Sequence, residues 1–432
     1  MKKIISLLTL LALFITLMAG CASTSNEPVS TELGQSEKVV IIVLDALSSS
    51  YLSQLGSNSN LAKIAQDGAC NFNARCIYPS HTLTNHTTIM TGVSSGVHGI
   101  IGNVRLAEDG VTTIKSRDPE MIQVETIFEL AKAEGLKTAI VSGKNNLVRL
   151  FANGCDVGTS NVLPLDYLPA TVNVDDAEDN KDYYEMNLEL ADWVFDSLYT
   201  VLETESPDLT LVNIQSSDYI GHRFGPNSDE MKTCLKRIDK AMGNFYKKMQ
   251  KSGMMENTTL IIVADHGMTE SDKAINLNVL TMKEFPQAVA AIDGRTGYIW
   301  LNGTEEIDVI SYFAGMEGVA AIFSGDCEVA VSMGVASENG PDLILESEPG
   351  YVFLPQPMID EYHGQHGSSN DSDMVIPMIF VGAGIPAGAG IAQTDLRAIA
   401  PLVCQLLGIS GGEFEISVPT LLPQQDLSAF KK

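Results

Sequence analysis

Three runs of aliphatic, largely β-branched residues in this chain stop abruptly at polar groups, and that pattern restricts the fold more than any other feature. Leu260-Ile261-Ile262-Val263-Ala264 ends in Asp265-His266, and Val39-Val40-Ile41-Ile42-Val43-Leu44 ends in Asp45. Leu209-Thr210-Leu211-Val212-Asn213-Ile214 is followed closely by Asp218 and then His222. Short apolar runs of this kind read as strands buried on both faces, as in a parallel sheet covered by helices. In open α/β sheets, ligands gather just beyond the carboxyl ends of such strands. Strand ends that deliver Asp and His to one edge therefore predict a site there.

Between these runs the periodicity turns helical, near Asn60 to Asp67, Pro119 to Gly135, Tyr184 to Leu202, Ser228 to Lys251 and Leu396 to Leu407. Further strands are predicted at Leu136 to Val141 and Met374 to Val381. Strands alternating with helices predict a three-layer α/β core with a largely parallel central sheet. Residues 274–351 differ, being rich in glycine and in short runs such as Tyr298-Ile299-Trp300-Leu301, and are read as an inserted cap subdomain. The core is then 38–273 and 352–412, with a C-terminal tail at 413–432.

At the N-terminus, Lys2 and Lys3 precede the apolar run Ile4 to Met18, too short and wrongly flanked to span a membrane, so residues 1–20 read as a signal peptide. Leu17-Met18-Ala19-Gly20-Cys21 resembles the lipobox of bacterial lipoproteins. That resemblance implies cleavage before Cys21, a lipid on its sulfur and an extracytoplasmic, membrane-anchored protein, with residues 21–37 as a flexible tether. The six other cysteines, Cys70, Cys76, Cys155, Cys234, Cys327 and Cys404, show neither a CxxC nor a regular spacing. The formal net charge is −27, or −29 once Lys2 and Lys3 are removed with the signal. Duplex nucleic acid is bound through basic surface, so this chain is not expected to bind it. An anionic substrate must instead meet local positive charge, which metal ions would supply.

The segment Pro79-Ser80-His81-Thr82-Leu83-Thr84-Asn85-His86-Thr87-Thr88-Ile89-Met90-Thr91-Gly92 is crowded with hydroxyls and imidazoles. Thr84 or Asn85 is a candidate cap for a helix running to Met90. The same stretch can also aim a hydroxyl at a metal site. Taken in order, Leu44-Asp45, Thr82 with Asn85-His86, Thr91-Gly92, His98-Gly99-Ile100-Ile101-Gly102-Asn103, Asp218-x-x-Gly221-His222, Asp265-His266-Gly267-Met268 and His366-Gly367 resemble the alkaline phosphatase superfamily. Within it they are most similar to the type I phosphodiesterase and nucleotide pyrophosphatase branch, over about Val39 to Leu407. The formylglycine signature of sulfatase relatives is missing near Thr82.

The resemblance implies an alkaline-phosphatase-like core and two metal sites, expected to hold Zn2+ or other divalent ions. One takes Asp45, Asp265, His266 and the Thr82 oxygen; the other takes Asp218, His222 and His366. Thr82 is the implied nucleophile, with Thr84, Thr87 and Thr88 as alternatives. Asn103 is the implied hydrogen-bond donor to a phosphoryl oxygen, its alternative being a turn residue after Gly102. His363-Gly364 competes with His366-Gly367 for the last ligand, while Asn85 and His86 are assigned to local structure. Such residue types make chemical sense together, because carboxylates and imidazoles suit zinc and a threonine hydroxyl needs coordination to become an alkoxide. The implied substrates are small and phosphorylated: a nucleotide, a diester or a phosphonate. Lys144 follows a core strand, and in monoesterase and phosphonoacetate hydrolase relatives a lysine in this region meets extra negative charge. If Lys144 stays on an exposed loop, that alternative loses its support. A non-catalytic binding lipoprotein is the reading from a different class.

Overall fold

A computed structural model describes residues 31–160, 170–171 and 183–431. The signal peptide and Cys21 lie outside the described residues. Central-sheet strands are β1 (Lys38–Leu44), β2 (Ala69–Arg75), β3 (Thr138–Ser142), β4 (Val157–Ser160), β5 (Ala170–Thr171), β6 (Leu209–Ile214), β7 (Thr258–Val263), β8 (Val375–Gly382), β9 (Ala389–Ile391) and β10 (Leu421–Leu422). They make one ten-stranded sheet in the order β10-β9-β2-β8-β7-β1-β6-β3-β4-β5. Every pairing is parallel except those of β8 with β7 and β2 and of β10 with β9.

The three apolar runs are the adjacent central strands β7, β1 and β6, and residues 39–44 of β1 are at most 1% exposed. Each fully buried Val, Leu or Ile contributes roughly 1.5–3 kcal/mol, so three such strands side by side anchor the sheet. Helices α1 (Thr82–Thr91), α2 (Tyr183–Thr204), α3 (Ser216–Phe224) and α4 (Asp229–Ser252) matter most for the site. α4 packs on α2, α3 and Asn60–Gln66; α1 packs with Ile399–Leu407 and Ile127–Ala133, giving two helix groups on the sheet. Ser228 caps α4 by accepting from Met231 N, and Cys234, on α4, and Cys404 are buried, as their apolar helical faces predict. All six described cysteines are free thiols.

Several boundaries differ from the sequence expectation for local reasons. The helix expected over Pro119 to Gly135 is confined to Ile127–Ala133, because Thr126 and Glu129 form a reciprocal capping box that starts it there. α1 begins at Thr82, ahead of Thr84, since the Asn85 side chain is used elsewhere, accepting from Ile77 N at 2.6 Å and donating to Ile77 O at 3.0 Å. The last tether residues are tied to the core by Gly34 N→Gly384 O (2.8 Å) and Ser36 N→Leu406 O (2.9 Å). The C-terminal segment supplies β10 and buries Phe430 edge-on against Phe72.

Residues 289–347 contain a four-stranded antiparallel sheet in the order Val289–Asp293, Thr296–Trp300, Leu343–Ser347, Val319–Ser324. Side chains alternate across its faces. Ile299, Leu343 and Leu345 close a cluster with Leu277, Val309, Phe313 and Phe353, whereas Tyr298, Trp300 and Ile344 join the main core. The insertion is thus fused to the core along one face, which brings its Asp293–Thr296 hairpin to the site.

Candidate metal centre

Four neighbouring strands deliver the site residues. Asp265 and His266 follow β7, Asp45 follows β1, Asp218 sits in the first turn of α3 after β6, and Lys144 lies two residues beyond β3. At the end of β1 the chain turns through Ala46 at φ 60°, a left-handed conformation costly for a residue with a Cβ. The turn lets Ala46 N donate to Asp265 Oδ1 at 3.2 Å, linking two strand ends. Asn213 Nδ2 donates to Asp45 Oδ2 at 2.7 Å, and Ser217 Oγ donates to the Asp45 carbonyl at 2.5 Å. Asp218 and His222, four residues apart, share a face of α3.

Two clusters result: Asp45, Asp265 and His266, and Asp218, His222 and His366, each with one potential ligand atom per residue mutually within 4.8 Å. The rings of His266 and His366 stack at 3.6 Å, so the clusters adjoin. Thr82 opens α1 between them, its Oγ1 3.3 Å from His266 Nε2 and 3.3 Å from Lys144 Nζ. Lys144 does reach the site, its Nζ lying 2.8 Å from Asp45 Oδ2 and 2.7 Å from Asp218 Oδ2. Gly143 permits this, because a Cβ there would overlap the Gln215 amide.

Each imidazole in the clusters is held the same way. His222 Nδ1 donates to Gly364 O (2.9 Å), His266 Nδ1 to Gly267 O (2.8 Å) and His366 Nδ1 to Ser80 O (2.7 Å). A carbonyl only accepts, so each Nδ1 carries the hydrogen and each Nε2 presents a lone pair to the clusters, the arrangement that outer hydrogen bonds impose on metal-binding histidines. Among the described residues, buried Asp45 Oδ1, Asp218 Oδ1 and Asp265 Oδ2 have no hydrogen-bond partner, although His86 Nδ1 lies 3.4 Å from Asp265 Oδ2. Asp218 Oδ1 lies 3.1 Å from His222 Nε2 without hydrogen-bond geometry. That pair needs either a proton or a metal cation between its atoms, so the two clusters fit two divalent ions, and the mixed carboxylate and imidazole set suits zinc.

Without a bound ion, the buried acids draw on the cations and protons nearest them. Burial, then the neighbouring Asp265, push Asp45 up to about 6. Burial works against charge on His222, but Asp218 prevails and raises its pKa. Burial and His266 hold His366 well below the ordinary imidazole value, leaving it neutral. Burial opposes ionisation of Asp218, yet Lys144 and His222 bring it well below the usual carboxylate range.

Among the alternatives, His363 stands outside both clusters, its N–H donating to His222 O and its carbonyl accepting from Ser271 N. Thr84 and Thr87 hydroxyls donate to backbone carbonyls, and Thr88 Oγ1 pairs with His98 Nε2. His86, assigned from sequence to local structure, donates from Nδ1 to Thr82 O at 2.8 Å and accepts from Asn213 at Nε2, so it also buttresses the site. Asn103 faces a pocket of about 480 Å³ with Thr82, Lys144, Asp218, His222 and His366.

Sequence reasoning missed three supporting residues. Ser80 Oγ donates to Ser368 O and accepts from Gly367 N, holding the His366 loop. Fully buried Arg295 donates to Ser347 O, Ser368 Oγ and Asp373 Oδ2, fastening that loop to the insertion. Asp293 accepts twice from Asn103. Asp293-Gly294-Arg295-Thr296 reads in sequence only as a hairpin turn, so nothing local marked it.

A largely parallel α/β sheet whose central strand ends gather two acid and imidazole clusters around a helix-start threonine defines a protein of the alkaline-phosphatase fold. Wild-type alkaline phosphatase PafA superposes with a TM-score of 0.69 at 19% identity, covering 90% of this chain and 98% of that one. The chain belongs to the type I phosphodiesterase / nucleotide pyrophosphatase family, whose sequence profile matches residues 39–369. Human ectonucleotide pyrophosphatase/phosphodiesterase family member 1 is 26% identical over 261 residues, 59% of this chain but 26% of that protein, so the chain spans about a quarter of that relative's length. Phosphonoacetate hydrolase from Sinorhizobium meliloti, solved with phosphonoformate, has a TM-score of 0.65 at 19% identity, covering 83% of this chain and 94% of its own.

Proposed function

We propose that this chain is a two-zinc phosphohydrolase that cleaves phosphodiester or nucleotide pyrophosphate bonds through a covalent intermediate on Thr82. The observation that carries this reading is the Thr82 hydroxyl set between two clusters whose imidazoles all present Nε2 inward. Asp45, Asp265, His266 and Thr82 would hold one ion and Asp218, His222 and His366 the other. Bound there, the ions would lower the pKa of the attacking hydroxyl and stabilise charge on the entering and leaving oxygens. Thr82 Oγ1 forms a bond to phosphorus as the bond to the leaving oxygen breaks, and water later releases Thr82. Asn103 donates from Nδ2 to a non-bridging oxygen, as a preorganised donor facing developing charge. Membership of the phosphodiesterase family supports the reaction class.

A second reading, a phosphomonoesterase or phosphonoacetate-type hydrolase, is favoured by Lys144, whose ammonium lies 3.3 Å from Thr82 Oγ1 where a dianion or carboxylate would meet it. Zinc-loaded protein assayed on bis-aryl and mono-aryl phosphates, nucleotides and phosphonates separates the two. Preferred hydrolysis of diesters and pyrophosphates is the expected result. Strong monoester preference abolished by Lys144→Ala would establish the second reading instead. Fewer than two ions per chain in zinc-replete protein would favour a non-catalytic binder. We also propose attachment to a bacterial membrane through Cys21; intact-mass detection of a lipid on the mature N-terminus tests it.

A further inference from the structure

Among the described residues, the insertion lines the pocket with Asp293 alone, at the end of the strand Val289–Asp293. Its carboxylate is buried and accepts from Asn103 N at 2.7 Å (Oδ2) and from Asn103 Nδ2 at 3.1 Å (Oδ1). Asn103 Oδ1 in turn accepts from Leu83 N at 3.1 Å, one residue after Thr82. The amide is thus pinned at both ends. Its oxygen is committed to an N–H of α1 that no intrahelical carbonyl can satisfy, one Nδ2 hydrogen is committed to Asp293, and the other remains for the pocket. Gly102 makes the approach possible, since a Cβ there would lie 2.7 Å from Asp293 Oδ2 and 2.5 Å from Tyr298 Oη. The same hairpin seats the last ligand, through Arg295 N→His366 O (2.8 Å) and Thr296 Oγ1→Gly367 O (2.6 Å).

We propose that Asp293 is a positioning residue that aims Asn103 at the phosphoryl oxygen, so that the inserted sheet is a working part of the site. This rests on the phosphohydrolase reading above. Once ionised, which burial delays to about pH 7, Asp293 offers an acceptor oxygen to each Asn103 donor at once, whereas an amide of the same shape offers one. His81 Nε2 lies 3.3 Å from Asp293 Oδ2, and burial keeps His81 neutral, with a pKa near 3. Neutral His81 therefore brings Asp293 no cation, while Lys115, which lines the same pocket, favours its ionised form.

The test is a double-mutant cycle on zinc-loaded protein with Asp293→Asn, Asn103→Ala and the pair, reading kcat and KM on a bis-aryl phosphate and the affinity for inorganic phosphate by calorimetry. Asp293→Asn is expected to lower kcat/KM by about ten- to a hundredfold, chiefly in kcat, and to cost less than about twofold once Asn103 is alanine. Gly102→Ala, which displaces the same carboxylate from the other side, gives the same Asn103-dependent loss and covers the case in which Asp293→Asn does not fold. Equal losses with and without Asn103 would overturn the proposal and leave Asp293 a purely structural residue. Should the wild type hydrolyse no phosphate ester, the phosphohydrolase reading falls, and the phosphate-binding cycle alone decides whether Asp293 acts through Asn103.

Discussion

Replacing Lys144 with methionine gives a prediction whose size follows from the structure. The Nζ atom lies 2.8 Å from Asp45 Oδ2 and 2.7 Å from Asp218 Oδ2, and the side chain is 15% exposed. Burial opposes its charge, but Asp218 and Asp45 hold it well above the ordinary lysine value, so it is an ammonium at any working pH. Methionine keeps the stem and leaves two buried carboxylates without their shared cation. Removing one partner of a buried ion pair costs roughly 3–5 kcal/mol. About 400 ordered residues at about 2.1 cal/mol/K each unfold with an entropy near 0.8 kcal/mol/K, so metal-free protein should melt about 4–6 °C lower. Divalent ions bound to the same carboxylates would replace the missing charge, and with excess zinc the difference should shrink below about 2 °C. Calorimetry of both proteins in chelator and in zinc measures this. An equal drop in both conditions, or none in chelator, would refute the idea that Lys144 and the metal ions neutralise the same groups.

Thr82→Ala should retain two ions per chain by elemental analysis while losing at least about a thousandfold in turnover, whereas Asp265→Ala should lose metal as well. Arg295→Met removes the cation paired with buried Asp373, leaving it the Ser368 and Thr269 donors, so it should cost about 3–5 kcal/mol in stability and weaken zinc binding in a chelator competition. Burial raises Asp293 to about 7 from an ordinary value of 3.8, so the folded state binds a proton that the unfolded chain releases. The Asp293 contribution to stability should therefore fall as pH rises from about 4 to 7, so chemical denaturation across that window should show a less negative slope for Asp293→Asn than for the wild type.

The parallel core was legible because β7, β1 and β6 are short apolar stretches that can only be buried on both faces, and their polar endings announced which edge carries the site. Six cluster residues and Thr82 were named from motifs, and the structure brings them together. Boundaries were less legible: a capping box moved one helix start to Ile127, and Asn85, expected as a cap, turned instead to bond Ile77. Asp293 and Arg295 were invisible because a charged residue in a turn looks the same in sequence whether it meets water or a catalytic pocket.

The sequence by itself determined the alternation of strands and helices, the set of acids and imidazoles, and the family. Those depend on residue types and short-range order, which a linear chain carries openly. Only the tertiary structure decided that His366 and not His363 enters the cluster, that Lys144 bridges Asp45 and Asp218, and that the insertion grips Asn103. Each of these turns on groups tens to hundreds of residues apart meeting within about 3 Å, the reach of a hydrogen bond. Such meetings are fixed by how the sheet and the insertion pack.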